Sequence, residues 1–144
     1  MADTARVLVV ANRTAATPAL LDAVRERAAR GACAFTLLVP NPVRGLERVM
    51  DPEDARDDGR SVLELALPLL EQAAGGPVRG LVGDAEPLAA IQDAVNVHGF
   101  DEIIISTLPT RVSRWLRLDL PHKAAALGLP VTTVTARGQE EAMA

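Results

Sequence analysis

"GDAEPLAAIQDAVNVHGFDEIIIS", residues 83–106, carries a complete strand–helix–strand passage. Gly83 ends an apolar run that begins at Val78, and Asp84 is placed to cap a following helix. Leu88, Ile91 and Val95 then fall on one helical face, and Gly99 stops the helix. Asp101 and Glu102 lead into Ile103–Ser106, whose three successive isoleucines show no in–out alternation. A strand apolar on both faces is one covered by helices on both sides, as parallel strands are.

The same rhythm extends in both directions. Arg6–Ala11 reads as a first strand, followed by the polar residues Asn12, Arg13 and Thr14. Thr17-Pro18 marks a helix start with a hydroxyl cap, and Leu20, Leu21, Val24 and Ala28 share a face before Gly31. Cys33–Val39 is a second strand, stopped by Pro40. Asn41–Arg60 breaks the pattern: it is polar and acidic, and reads either as a surface excursion or as a flap over a site. Ser61–Ala74 is a leucine-rich helix in which Pro68 predicts a bend or a late start. Downstream of Ser106 come a short helical stretch between Thr110 and Leu118, a helix opened by Asp119-Leu120-Pro121, and a fifth strand, Val131–Val134. Residues 1–136 form one domain in this reading, and 137–144 a short flexible tail.

Composition fits that architecture and narrows the function. The chain has 144 residues, 49% hydrophobic and 24% charged, enough for one core. Aromatic residues are only 2%, so no base-stacking platform is available, and the net charge of −4 disfavours binding to a phosphate backbone. Neither a nucleic-acid nor a membrane partner is expected, since no apolar run reaches the roughly 18 residues of a membrane span. The N-terminal MADTARVLVVANR lacks the basic start and apolar core of a signal peptide, so the expected location is cytoplasmic. Cys33 stands alone as a small core residue, and no Cys/His spacing suggests a metal site.

Three stretches resemble the universal stress protein family: VLVVANRT, Gly83–Ser106, and STLPTRVSRWLRLDLPHKAAALGLPVTTV. The fold expected is a single-domain α/β Rossmann-like sandwich of the adenine nucleotide alpha hydrolase-like kind. Its five-stranded parallel sheet has order 3-2-1-4-5, with helices on both faces. ATP-binding members carry G-x2-G-x9-G-[ST] after strand four. On this chain those four positions are Ser106, Pro109, Asp119 and Leu120, and none matches. Pro109 has no N–H to offer a phosphate. Asp119 brings a carboxylate to a helix start whose dipole it can satisfy itself, and Leu120 lacks the hydroxyl. The family's strand-one acid is here Asn12, which cannot help hold a metal as a carboxylate would.

The resemblance and the sheet order together place candidate ligand residues at the strand tips: Asn12, Arg13, Thr14, Val39, Ser106 and Thr107. Each polar one has a second reading, as a cap or as a partner for strand-end backbone. Arg111, Arg114 and Arg117 recur every three residues around Trp115, as a solvated face or as an anion clamp replacing glycine N–H groups. No catalytic set is legible: His98 reads as a helix-end residue, and His122 near Asp119 has no nucleophile at a diagnosable spacing. No cofactor or metal is expected. One function is a non-catalytic regulatory module that has lost ATP binding and works through dimerisation or a protein partner. The alternative is a small-molecule or nucleotide-binding protein, or a weak nucleotide hydrolase, with its ligand at the ends of strands 1 and 4. The edge strand Val131-Thr132-Thr133-Val134 is the expected homodimer contact.

Overall fold

The computed structural model describes residues 4–11, 15–40, 52–83, 86–107, 115 and 119–135, with side chains from residue 60 onward in the third segment. Five parallel strands form one sheet: β1 (Ala5–Val10), β2 (Cys33–Pro40), β3 (Val78–Gly83), β4 (Glu102–Thr107) and β5 (Val131–Thr135). Their order is β3-β2-β1-β4-β5, as the sequence predicts. Among the described residues the helices are α1 (Pro18–Ala29), α2 (Pro52–Ala74), α3 (Pro87–His98) and α4 (Leu120–Ala125).

Side-chain alternation along the central strands divides the core into two layers. Val7, Val9, Leu37, Val39 and Ile104 face α1 and α2, where they meet Leu20, Val24, Leu63 and Leu70. Leu8, Val10, Leu38, Ile103 and Ile105 face α3 and α4, against Ile91 and Leu120. Each of these buried aliphatic side chains contributes about 2 kcal/mol. Double-sided burial is why the isoleucine run shows no alternation.

Several local expectations are corrected. α1 begins after Thr17, but the Thr17 side chain makes no cap bond; its carbonyl accepts the Leu21 N–H at 3.0 Å. α2 starts at Pro52, so the acidic 41–60 segment is helical from residue 52, while 41–51 lie outside the described residues. Proline at the first position and acids in the first turns suit a helix N-terminus. The helix also runs through Pro68, because Leu63, Ala66, Leu70 and Ala73 bury one stripe on both sides of it. That burial outweighs the roughly 3 kcal/mol cost of an interior proline. The cap of α3 is Glu86, whose Oε1 accepts the Leu88 N–H at 3.3 Å; Asp84 lies outside the described residues. Gly99 does stop α3, with φ 75° and its N–H on the Val95 carbonyl at 2.9 Å.

Candidate functional site

Strand order reverses at β1, which has β2 and β3 on one side and β4 and β5 on the other. Val10 stands opposite Leu38 of β2 and Ile105 of β4, and the Ala11 N–H still reaches the Leu38 carbonyl at 3.2 Å. Beyond that level β2 continues to Pro40 and β4 to Thr107, so the crevice of a doubly wound sheet opens at Ala11.

Of the candidate ligand residues, Asn12, Arg13, Thr14, Arg111 and Arg114 lie outside the described residues, as do Pro109 and Arg117. Val39 is fully buried in the α1/α2 layer, so only its main chain can meet a ligand. Ser106 and Thr107 are each only 2% exposed. As neighbours on one strand they point to opposite faces. Ser106 follows Ile104 toward α1 and α2, whereas Thr107 follows Ile105 to the other face. There the Thr107 Oγ1 lies 3.4 Å from the Thr135 Oγ1, a hydroxyl pair between β4 and β5. The two hydroxyls therefore face different layers of the sandwich.

Asp119 has φ 57° and ψ 39°, the one non-glycine residue in the left-handed region among the described residues. This conformation costs an L-residue about 1–2 kcal/mol, and Asp is among the few that tolerate it. Its carbonyl accepts the Lys123 N–H at 3.1 Å, but the carboxylate makes no cap bond to α4. The expectation that the side chain satisfies this helix end is therefore corrected: capping needs an extended backbone at that position. Leu120, next in the chain, is 3% exposed and packed in the α3/α4 layer. The turn keeps a shape suited to glycine while its side chains supply a carboxylate and a core leucine. Nearby, Trp115 is half-buried, and with Glu86, Leu88, Leu120 and Lys123 it lines a cleft of about 110 Å³.

Three further features escape the sequence reading. Arg27 of α1 grips Glu102 of β4 with Nε–Oε1 at 2.5 Å and Nη2–Oε2 at 3.4 Å, a bidentate pair largely shielded from solvent. That hydrogen bond raises the Arg27 pKa. His98 lies 3.3 Å, Nδ1 to Nη1, from Arg79 and edge-on to Phe100, while Arg6 covers the Phe100 ring at 5.7 Å. A groove of about 810 Å³ runs along β3. All three join residues far apart in sequence; their only sequence signal is a charge at the end of an apolar element. Burial pushes the Cys33 thiol up, keeping it in the less reactive protonated form. Among the described residues no group of three His, Cys, Asp or Glu side chains is placed to hold a metal. Among the described residues no helix is long and apolar enough to cross a membrane.

Comparison with known proteins agrees with this geometry. No protein-family model matches the sequence, and no curated protein matches it. Solved structures do match. A universal stress protein in complex with cAMP superposes with a TM-score of 0.64 at 16% identity, covering 94% of this chain and 100% of that one. The universal stress protein from Archaeoglobus fulgidus in complex with dAMP gives 0.59 at 16% identity, over 93% of this chain and 99% of the other. A universal stress protein family protein from Arabidopsis thaliana with AMP bound gives 0.61 at 16% identity and 94% of both chains. The chain has the universal stress protein fold.

Proposed function

We propose that this protein is a divergent universal stress protein: a non-catalytic regulatory module of the cytoplasm that does not bind ATP as glycine-motif relatives do. The observation that carries this reading is the Asp119-Leu120 turn. The resemblance puts a glycine and a hydroxyl residue there to hold phosphate. This chain has a left-handed aspartate with an uncapped carboxylate and a leucine buried to 3%. A carboxylate repels a triphosphate, and moving Leu120 out to face a ligand exposes core, at about 2 kcal/mol. No cofactor enters this reading. Regulation then rests on assembly. β5 is a sheet edge with Thr132 and Thr133 exposed, and a two-fold axis pairs Val131–Val134 with its own copy in a homodimer. Protein partners would read that dimer.

A second reading has one observation in its favour: the solved proteins of this fold named above hold cAMP, dAMP or AMP. A nucleoside monophosphate asks less of the glycine turn than a triphosphate does, so a ligand at the ends of β1 and β4 fits a chain with this turn. Native mass spectrometry of protein purified from its own cells separates the readings. The regulatory reading expects no retained ATP. Stoichiometric ATP contradicts it, and retained AMP or cyclic nucleotide favours the second.

A further inference from the structure

Among the described residues β3 is the other edge of the sheet, paired only with β2. The groove of about 810 Å³ along it has walls from both faces: Arg60 and Leu63 of α2 on one side, Asp93, Ala94, Val97 and His98 of α3 on the other. A cavity that straddles a sheet edge has the shape of an absent strand. A strand laid there bonds to the β3 main chain and sends alternate side chains to the two walls. Val78–Gly83 contains no lysine or proline to blunt the edge, and Val97 at the rim is 74% exposed.

Charge selects the strand that fits. Both flanking helices run antiparallel to β3. On the α2 side, Glu71 accepts the Val78 N–H at 3.1 Å, Leu63 lies against Gly80, and Arg60 therefore stands toward Gly83. On the α3 side, His98 touches Arg79, Ala90 lies against Gly83, and Asp93 stands between them, nearer Gly83. One face thus runs from acid to base along β3, and the other from base to acid. A two-fold axis normal to the sheet pairs β3 antiparallel with its own copy and keeps each face with its like. Arg79 then meets Asp93 of the second copy, and Arg60 meets the end that carries Glu71. None of Arg60, Arg79 and Asp93 has an ion-pair partner within the chain among the described residues. We propose that β3 is a self-association edge: two copies pair Val78–Gly83 antiparallel, with Arg79 against Asp93 across the contact. This edge is distinct from β5.

The test isolates β3 by working in a Thr133→Pro background, which removes a ladder N–H from β5. In sedimentation velocity at tens of micromolar, Thr133→Pro protein is expected to be a dimer. Adding Arg79→Glu, or separately Asp93→Arg, sets like charges opposite each other twice per dimer and should weaken association at least tenfold, giving monomer. Mixing those two charge variants should restore the dimer, because both cross-contacts then join opposite charges. Pairing within one chain cannot produce that rescue. A monomeric Thr133→Pro parent, charge variants that sediment like the parent, or a mixture that stays monomeric would each overturn the proposal. A monomeric parent whose groove instead takes up an added extended peptide assigns the edge to another protein and also overturns self-pairing. The β5 contact is tested separately: Arg79→Glu with Thr133 intact isolates it.

Discussion

Asp119 and Cys33 are each set by backbone or burial rather than by a partner. At Asp119, φ 57° is tolerable for Asp and strained for a β-branched residue. Asp119→Val should therefore cost about 1–2 kcal/mol in urea unfolding, while Asp119→Gly should not destabilise. Equal midpoints for the two variants would contradict the left-handed assignment. At Cys33, burial raises the thiol pKa against the lowering pull of Arg27, with Glu102 adding to the rise. A folded value above the unfolded one means the contribution to stability is complete below the ordinary value of 9.0 and is lost as pH climbs through the folded value. Iodoacetamide at pH 8 should alkylate Cys33 more slowly in the native protein than in urea. Matching rates would show that the thiol is not shielded.

Arg27 and Glu102 tie α1 to the start of β4, two elements adjacent in space but not in sequence. Glu102→Gln keeps the shape and removes the charge. It should cost about 1–2 kcal/mol, between an exposed pair and a hydrogen bond to a buried charge. The check is a lower urea midpoint with an unchanged m-value; an unmoved midpoint would place the pair among those that contribute nothing. The five strands and their order were legible, because each strand is an apolar run and Gly31, Gly75, Gly99 and Gly128 mark where helices or turns stop, whereas the helical stretch expected between Thr110 and Leu118 lies outside the described residues except for residue 115. The starts at Pro18 and Leu120 were legible too, but the cap bonds were not. Thr17 and Asp84 have the right side chains for caps, yet the cap bond of α3 comes from Glu86 and Thr17 makes none, since a cap depends on local φ/ψ that composition does not reveal. The beginning of α2 was missed because polarity in 52–60 reads as loop, although proline followed by acids also opens helices.

At the scale of the whole molecule, the sheet order places the β1/β4 crevice in the middle and leaves an edge at each side. The crevice was legible from strand count and right-handed crossovers. The β3 groove was not, because Arg60 and Asp93 come to line one groove only once α2 and α3 are laid on opposite faces. If both edges associate, wild-type protein at high concentration exceeds a dimer, each of Thr133→Pro and Arg79→Glu is a dimer, and the double variant is a monomer. Sedimentation velocity reads these four states directly. A monomeric Arg79→Glu protein would remove the β5 contact from the account. The loss of ATP binding at the Asp119-Leu120 turn is read by titration calorimetry with MgATP. No heat of binding is expected at micromolar nucleotide, and a micromolar or tighter dissociation constant would show that the turn still holds a triphosphate.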